Sequence, residues 1–261
     1  MCLIAFAYGV HPEYPLVVAA NRDEFHARPT SQAAFWDEQP SILAGRDLEC
    51  MGTWMGVTRS GRFAAVTNYR DPDDVRDNAE SRGTLVSSFL EQSTGCDAFL
   101  DKIAAKADAY RGFNLLVSDG AEMFYYTNRS GEPRRLTPGI YGLSNHLLDT
   151  PWPKVTKART RLELALAPRP AIEPLFALMA DTALADDSEL PRTGVGAERE
   201  RMLSAARIVS TAYGTRSSTV LLQGHDGNLH YAERSYNADG GELDTVRYEL
   251  RPTAWRTLRI D

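Results

Sequence analysis

Cysteine is scarce in this chain. It occurs three times in 261 residues, at positions 2, 50 and 96, with no C-x-x-C pair. That excludes a disulfide framework and a zinc knuckle. The five histidines make no metal set: no H-E-x-x-H is present, and His225 and His230 straddle a turn. Long apolar runs are missing, so no segment reads as a membrane span. The run Leu3 to Tyr8 has no positive residue ahead of it and no small-residue cleavage site, which is not a secretory signal. The cytoplasm is therefore the expected location. Basic runs are missing too. With 29 Lys and Arg against 35 Asp and Glu, the net charge of -6 argues against a nucleic-acid partner. Neither G-x-x-x-x-G-K-[ST] nor G-x-S-x-G occurs, and Gly194-Val195-Gly196 alone is too little for a dinucleotide site.

What remains is an ordinary globular mixture, 43% hydrophobic and 25% charged, long enough to bury a sizeable core. CLIAFAY (2–8) and LVVAA (16–20) read as strands, with the two-proline segment HPEYP turning between them. TWMGVTR (53–59) and RFAAVTN (62–68) flank Ser60-Gly61 as a tight hairpin. Between these hairpins, the polar stretch from Asn21 to Asp47 reads as a long loop, and long loops often carry function.

Helical spacing follows. One helix is capped at Ser81 and runs to Gln92, with Leu85, Phe89 and Leu90 on one face, and a second covers Asp97 to Tyr110. FNLLVSD (113–119) and EMFYYTN (122–128) meet at Gly120, and IYGLSN (140–145) reads as another strand. Pro151 and Pro153 open a helix to about Leu166, and Ile172 to Asp181 is a further one. LADDSELPRTGVGAERE reads as a loop or lid. STVLLQ (218–223) and NLHYAERSY (228–236) form a hairpin around Asp226-Gly227. Strands whose neighbours are mostly hairpins, alternating with helices, predict an α+β fold with antiparallel sheets covered by helices. No repeat or linker interrupts it, so one domain over 1–261 is expected.

One cysteine stands out by position. Cys2 follows the initiator methionine. A cysteine in an early apolar strand is also a small hydrophobe, and composition leaves that reading beside the chemical one. Removal of Met1 is favoured when the second residue is small. It leaves a thiol of pKa about 8.5 and an α-amine of about 7.7–8.0 on one residue. Nucleophile and base then coincide, and no catalytic histidine is needed. Such a site still needs a group to orient the amine and donors for an oxyanion. If the second strand continues, Asn21 and Asp23 share one side of it and Arg22 points to the other. A carboxylate there can position the amine. Asn68 and Asn145 end apolar strands and Arg216 lies just before one, although asparagine at a strand end is usually turn chemistry.

MCLIAFAY, ANRDEF, AGRD, GTWMGVTRSGRFAAVTNYRDP, YGLSN and YGTRSSTVLL follow one another from Cys2 to about Tyr236. In that order they resemble the NRDE family, whose animal members are called transport and Golgi organisation proteins. The resemblance implies the N-terminal nucleophile (Ntn) hydrolase superfamily and a four-layer αββα sandwich. By pattern the nearest enzymes are choloylglycine hydrolases and penicillin V acylases, which begin the mature chain with cysteine and cleave non-peptide amide bonds. Their Arg-Asn-x-Asp run is Ala20-Asn21-Arg22-Asp23 here, so the arginine is replaced by Ala20 and Arg22 stands two positions on. The resemblance implies that Cys2 is the nucleophile, that Asp23 holds it and that Arg216 supports it. It also implies that Asn68 and Asn145 build the oxyanion hole.

Two functions are expected. The first is hydrolysis of non-peptide C–N amide bonds in small acylated substrates by Cys2, without cofactor or metal. Asn21, Arg22, Phe25, Trp54 and Tyr69 are expected against the substrate, with Trp36 in the same pocket. The alternative is a carrier that uses this pocket without turnover. Family links to haem trafficking and to lipid and acyl-CoA metabolism imply such a cargo, and haem would want an axial ligand such as His26, His146 or Cys2. A third use is protein contact through a degenerate fold, since folds host unrelated functions.

Overall fold

The computed structural model describes residues 2–167 and 169–251. In chain order the strands are β1 (Cys2–Tyr8), β2 (Leu16–Phe25), β3 (Thr30–Phe35), β4 (Ile42–Asp47), β5 (Met55–Thr58), β6 (Phe63–Asn68), β7 (Phe113–Ser118), β8 (Met123–Thr127), β9 (Arg134–Arg135), β10 (Gly139–Leu143), β11 (Tyr213–Gln223), β12 (Leu229–Tyr236) and β13 (Glu242–Leu250). The helices are α1 (Gly83–Glu91), α2 (Cys96–Ala104), α3 (Pro153–Ala165), α4 (Ile172–Met179) and α5 (Ala197–Met202). The chain divides into two compact units.

The first unit holds β1, β2, β10 to β13 and α3 to α5. Its sheet runs β10-β1-β2-β11-β12-β13 with antiparallel pairing. Alternate residues on one face, among them Leu3, Ala5, Val17, Ala19 and Val220, pack against α3 and α4 through Val155, Leu162, Leu175 and Phe176. Proline at the first turn starts α3 without losing a hydrogen bond. The second unit holds β3 to β9, α1, α2 and residues Asn145–Leu147. Its strands pair in chain order, an antiparallel meander whose β5–β6 turn uses Gly61 at φ 84°. α1 and α2 cover one face, where Ile42, Ala64, Val66 and Leu115 meet Leu85, Phe89 and Phe99.

The expected α+β class, antiparallel sheets under helices, is the class observed. Four local expectations change. The supposed loop from Asn21 to Asp47 contains the end of β2 and all of β3 and β4. Ala33, Ile42, Leu43 and Ala44 are buried there, and pairing with neighbours outweighs a polar composition. The supposed lid runs into the start of α5, pinned by buried Glu200, which accepts from Thr193 N and Oγ1, both at 2.7 Å. The second long helical pattern stops at Ala104. β13 is an added edge strand whose exposed, charged alternation hid it. Among the described residues, no helix is long and apolar enough to cross a membrane, and no three His, Cys, Asp or Glu side chains group as a metal site.

Candidate active site

In the first unit, β1 and β11 flank β2, and their registers set the chemistry. Cys2 pairs with Arg22, and Arg22 pairs with Ser217. Directly paired residues of an antiparallel sheet share a face. Cys2, Arg22 and Ser217 therefore form one row. Ser144 Oγ donates to the Cys2 carbonyl at 2.9 Å and ties the start of β1 to the end of β10.

Asp23 lies one residue past the partner of Cys2, on the opposite face, and is 1% exposed. Thr215 Oγ1 donates to Asp23 Oδ1 at 2.6 Å and accepts from Ile208 N at 2.9 Å. Burial pushes the Asp23 pKa up. The charge of Lys154, the charge of the amino terminus and the Thr215 bond oppose that rise. Cys2 is only partly exposed, and burial pushes its thiol above the ordinary range. Asp23 adds to the rise, while the amino-terminal charge, Arg22 and a hydrogen bond from the Asp23 main chain oppose it. Such a thiol is protonated at neutral pH, so attack requires a base at hand.

Arg216 is not ahead of a strand but inside β11, at a bulge between Thr215 and Ser217. Its Nη1 donates to the Phe25 carbonyl at 2.9 Å and holds the end of β2. Burial and the neighbouring charge of Arg22 lower its pKa. The first unit thus brings Cys2, Arg22, Asp23 and Arg216 together.

Asn21 sits elsewhere. It is 1% exposed on the helix-covered face, away from Cys2. Its Nδ2 donates to the carbonyls of Met179 at 2.8 Å and Ala206 at 2.7 Å, and Oδ1 accepts from Ser218 Oγ at 2.5 Å. That makes it a clamp between sheet and helices. Phe25 is 59% exposed and packs edge-on to Tyr213.

The second unit gathers another part of the expected set. Asn145 is fully buried, and its Nδ2 donates to the Asn68 carbonyl at 2.9 Å. The Asn145 carbonyl accepts from Arg70 N at 2.7 Å. Tyr69 packs on His146 with ring centroids 5.0 Å apart. Burial, with Arg70 nearby, lowers the His146 pKa. Trp54 lies over Gly45. Trp36 is a correction: it belongs to the helix-covered core, with its Nε1 donating to Ala44 O at 3.2 Å. In the first unit, a ring nitrogen of His26 lies 3.1 Å from the Ser210 carbonyl.

Thr215, Ser144 and Lys154 escaped the sequence reading. Nothing in a single strand or helix start marks them, because their partners are far along the chain.

A family model described as Transport and Golgi organisation 2 matches residues 1–238. The chain belongs to this family. The Transport and Golgi organization protein 2 homolog of Bos taurus is 37% identical over 275 aligned positions, covering 96% of this chain and 99% of that protein. The Homo sapiens homolog is 37% identical over 274 positions, with the same two coverages of 96% and 99%. The Drosophila melanogaster protein of the family is 26% identical, over 90% of this chain and 92% of its own. Among solved structures, the mutant C2A conjugated bile acid hydrolase from Clostridium perfringens superimposes with a TM-score of 0.52 at 8% identity, covering 96% of this chain and 98% of that one. At that identity the likeness speaks for the fold alone: the chain has an Ntn-hydrolase fold.

Proposed function

We propose that this family member is an N-terminal-cysteine amidohydrolase acting on non-peptide C–N bonds of small acylated compounds. The observation that supports it most is the placement of Asp23, held by Thr215 one residue beyond the partner of Cys2. That is where a carboxylate meets the α-amine of Cys2 once Met1 is removed. The amine takes the thiol proton, and Sγ attacks the substrate carbonyl carbon. The tetrahedral oxyanion is assigned to Asn68 and Asn145, as the family resemblance implies. The C–N bond breaks as the α-ammonium returns the proton to the departing amine. An acyl thioester remains on Cys2. Water, deprotonated by the same amine, attacks it, releasing the carboxylic acid and the thiol. Oxyanion donors of this kind are worth about 10²–10³ in kcat each. The conjugated bile acid hydrolase, which shares the fold, supplies a substrate precedent. A cytoplasmic location suits the reading, because a reducing compartment keeps the thiol free.

The experiment begins with the intact mass of the purified chain. A mass lacking methionine is expected. Amine release from a panel of N-acyl compounds should then appear, and Cys2→Ala should abolish it. Retained methionine, or turnover unchanged in Cys2→Ala, overturns the mechanism. A Soret band on adding haem, with no amide turnover, would instead assign the carrier function.

A further inference from the structure

Lys154 has no part in the mechanism above, yet it is buried. It is the second residue of α3, 4% exposed. Lysine is almost never buried this far without a counter-charge. It lines a cleft of about 200 Å³ together with Lys157, Arg161, Asp181 and Ala206. The Ala206 wall locates that cleft against β2, because the Ala206 carbonyl accepts from Asn21 Nδ2. Asp23 is the next residue of β2 on the same helix-covered face. The acid that shares the cleft, Asp181, is engaged by Lys157 and by Arg161 at 3.0 Å.

We propose that Lys154 is a positioning residue of the Cys2 site: its ammonium, beneath the helix-covered face of β2, is the counter-charge that keeps Asp23 a carboxylate. The amine-holding role of Asp23 rests on the hydrolase reading, whereas the charge pairing stands without it. The charged groups acting on Asp23 are Lys154 from α3, the amino-terminal charge and Glu24 on β2, with the Thr215 hydroxyl from β11. Around Lys154 the cleft adds Lys157, Arg161, Asp181, Asp186 and Glu189. Among the influences that favour the ionised Asp23, Lys154 is the largest. Removing it leaves burial and Glu24 less opposed, and Asp23 then takes up its proton at higher pH.

The test is the pH dependence of Cys2 alkylation by iodoacetamide, followed by peptide mass so that Cys50 and Cys96 do not interfere. It needs no substrate, so it decides this point even if no amide is ever turned over. Wild type should show an acidic inflection that Asp23→Asn lacks. Lys154→Met should shift that inflection to higher pH, and Lys154→Arg should restore it. If Lys154→Met does not fold, Lys154→Gln takes its place in the comparison. A folded neutral variant whose profile superimposes on wild type overturns the proposal. So does a wild-type profile identical to that of Asp23→Asn.

Discussion

Cys2 and Arg22 stand opposite each other in the β1–β2 register, their side chains on one face of the sheet. The sequence resemblance to choloylglycine hydrolases implies an arginine where this chain has Ala20, which pairs with Ile4. Two residues of strand are about 6.6 Å. Moving the guanidinium from 20 to 22 therefore brings it into line with the thiol instead of one row inward. Alternation keeps it on the same face, so the departure in sequence preserves a cation beside the Cys2 thiol.

Arg22→Met should raise the Cys2 thiol pKa, because the Arg22 charge favours the thiolate. Alkylation of Cys2 should slow below that pKa and reach the same plateau above it. Arg22→Lys should fall between the two. The measurement is alkylation rate against pH, and overlapping profiles would show that Arg22 does not act on the thiol.

Asn21→Ala should act on stability and leave the thiol alone. It strips the buried acceptors Met179 O and Ala206 O and the Ser218 hydroxyl of their partner. Ser218 keeps the Tyr236 hydroxyl, so two carbonyls are left unsatisfied, and at about 1–3 kcal/mol each a loss of about 2–6 kcal/mol is expected. Urea unfolding reads the loss. The alkylation profile of the folded fraction should match wild type. A stable variant with altered Cys2 reactivity would return Asn21 to the substrate side.

Gly45→Ala should displace Trp54, since a Cβ on residue 45 would overlap the Trp54 ring. Overpacking of this kind costs about 1–3 kcal/mol. A shift in tryptophan emission should accompany the lower melting temperature, and Trp54→Ala should remove the penalty of the added methyl. An unshifted spectrum would place the ring elsewhere.

Asp74 offers a pH prediction in the second unit. It accepts from Arg76 Nε at 2.7 Å and Nη2 at 2.9 Å, from Gly112 N at 2.8 Å and from Arg129 Nη2. The Arg76 bonds, then the Gly112 bond and the Arg129 charge, hold its pKa far below the ordinary carboxylate range. A depressed folded-state pKa gives stability that is present above the unfolded value of about 3.9 and lost as pH falls through the folded value. Asp74→Asn should therefore be less stable than wild type at neutral pH, and the gap should close below about pH 4. Urea midpoints at several pH values test this, and a gap independent of pH would contradict it.

Much of this architecture was readable residue by residue. CLIAFAY became β1 over the expected residues, because its small and β-forming side chains suit a strand buried on both sides. Ser60-Gly61 and Asp226-Gly227 turned hairpins because glycine accepts positive φ, 84° at Gly61 and 78° at Gly227. β3 and β13 were hidden by their polar and charged residues, and β4 by the polar stretch around its short apolar run Ile42 to Gly45; their stability comes from neighbours on the sheet.

By itself, the sequence determined the alternation of strands and helices, the hairpin turns, the position of a lone thiol at residue 2 and the acid at residue 23. These depend on propensity and on neighbours within a few positions. Tertiary structure alone decided that Arg22 shares a face with Cys2, that Asn21 is spent on Met179 and Ala206, and that Lys154 lies buried near Asp23. Those facts depend on strand register and on which helix covers which face. Both are set by cooperative packing, between neighbouring strands for Arg22 and between segments more than a hundred residues apart for Asn21 and Lys154, and a buried charge acquires its role from whatever that packing sets beside it.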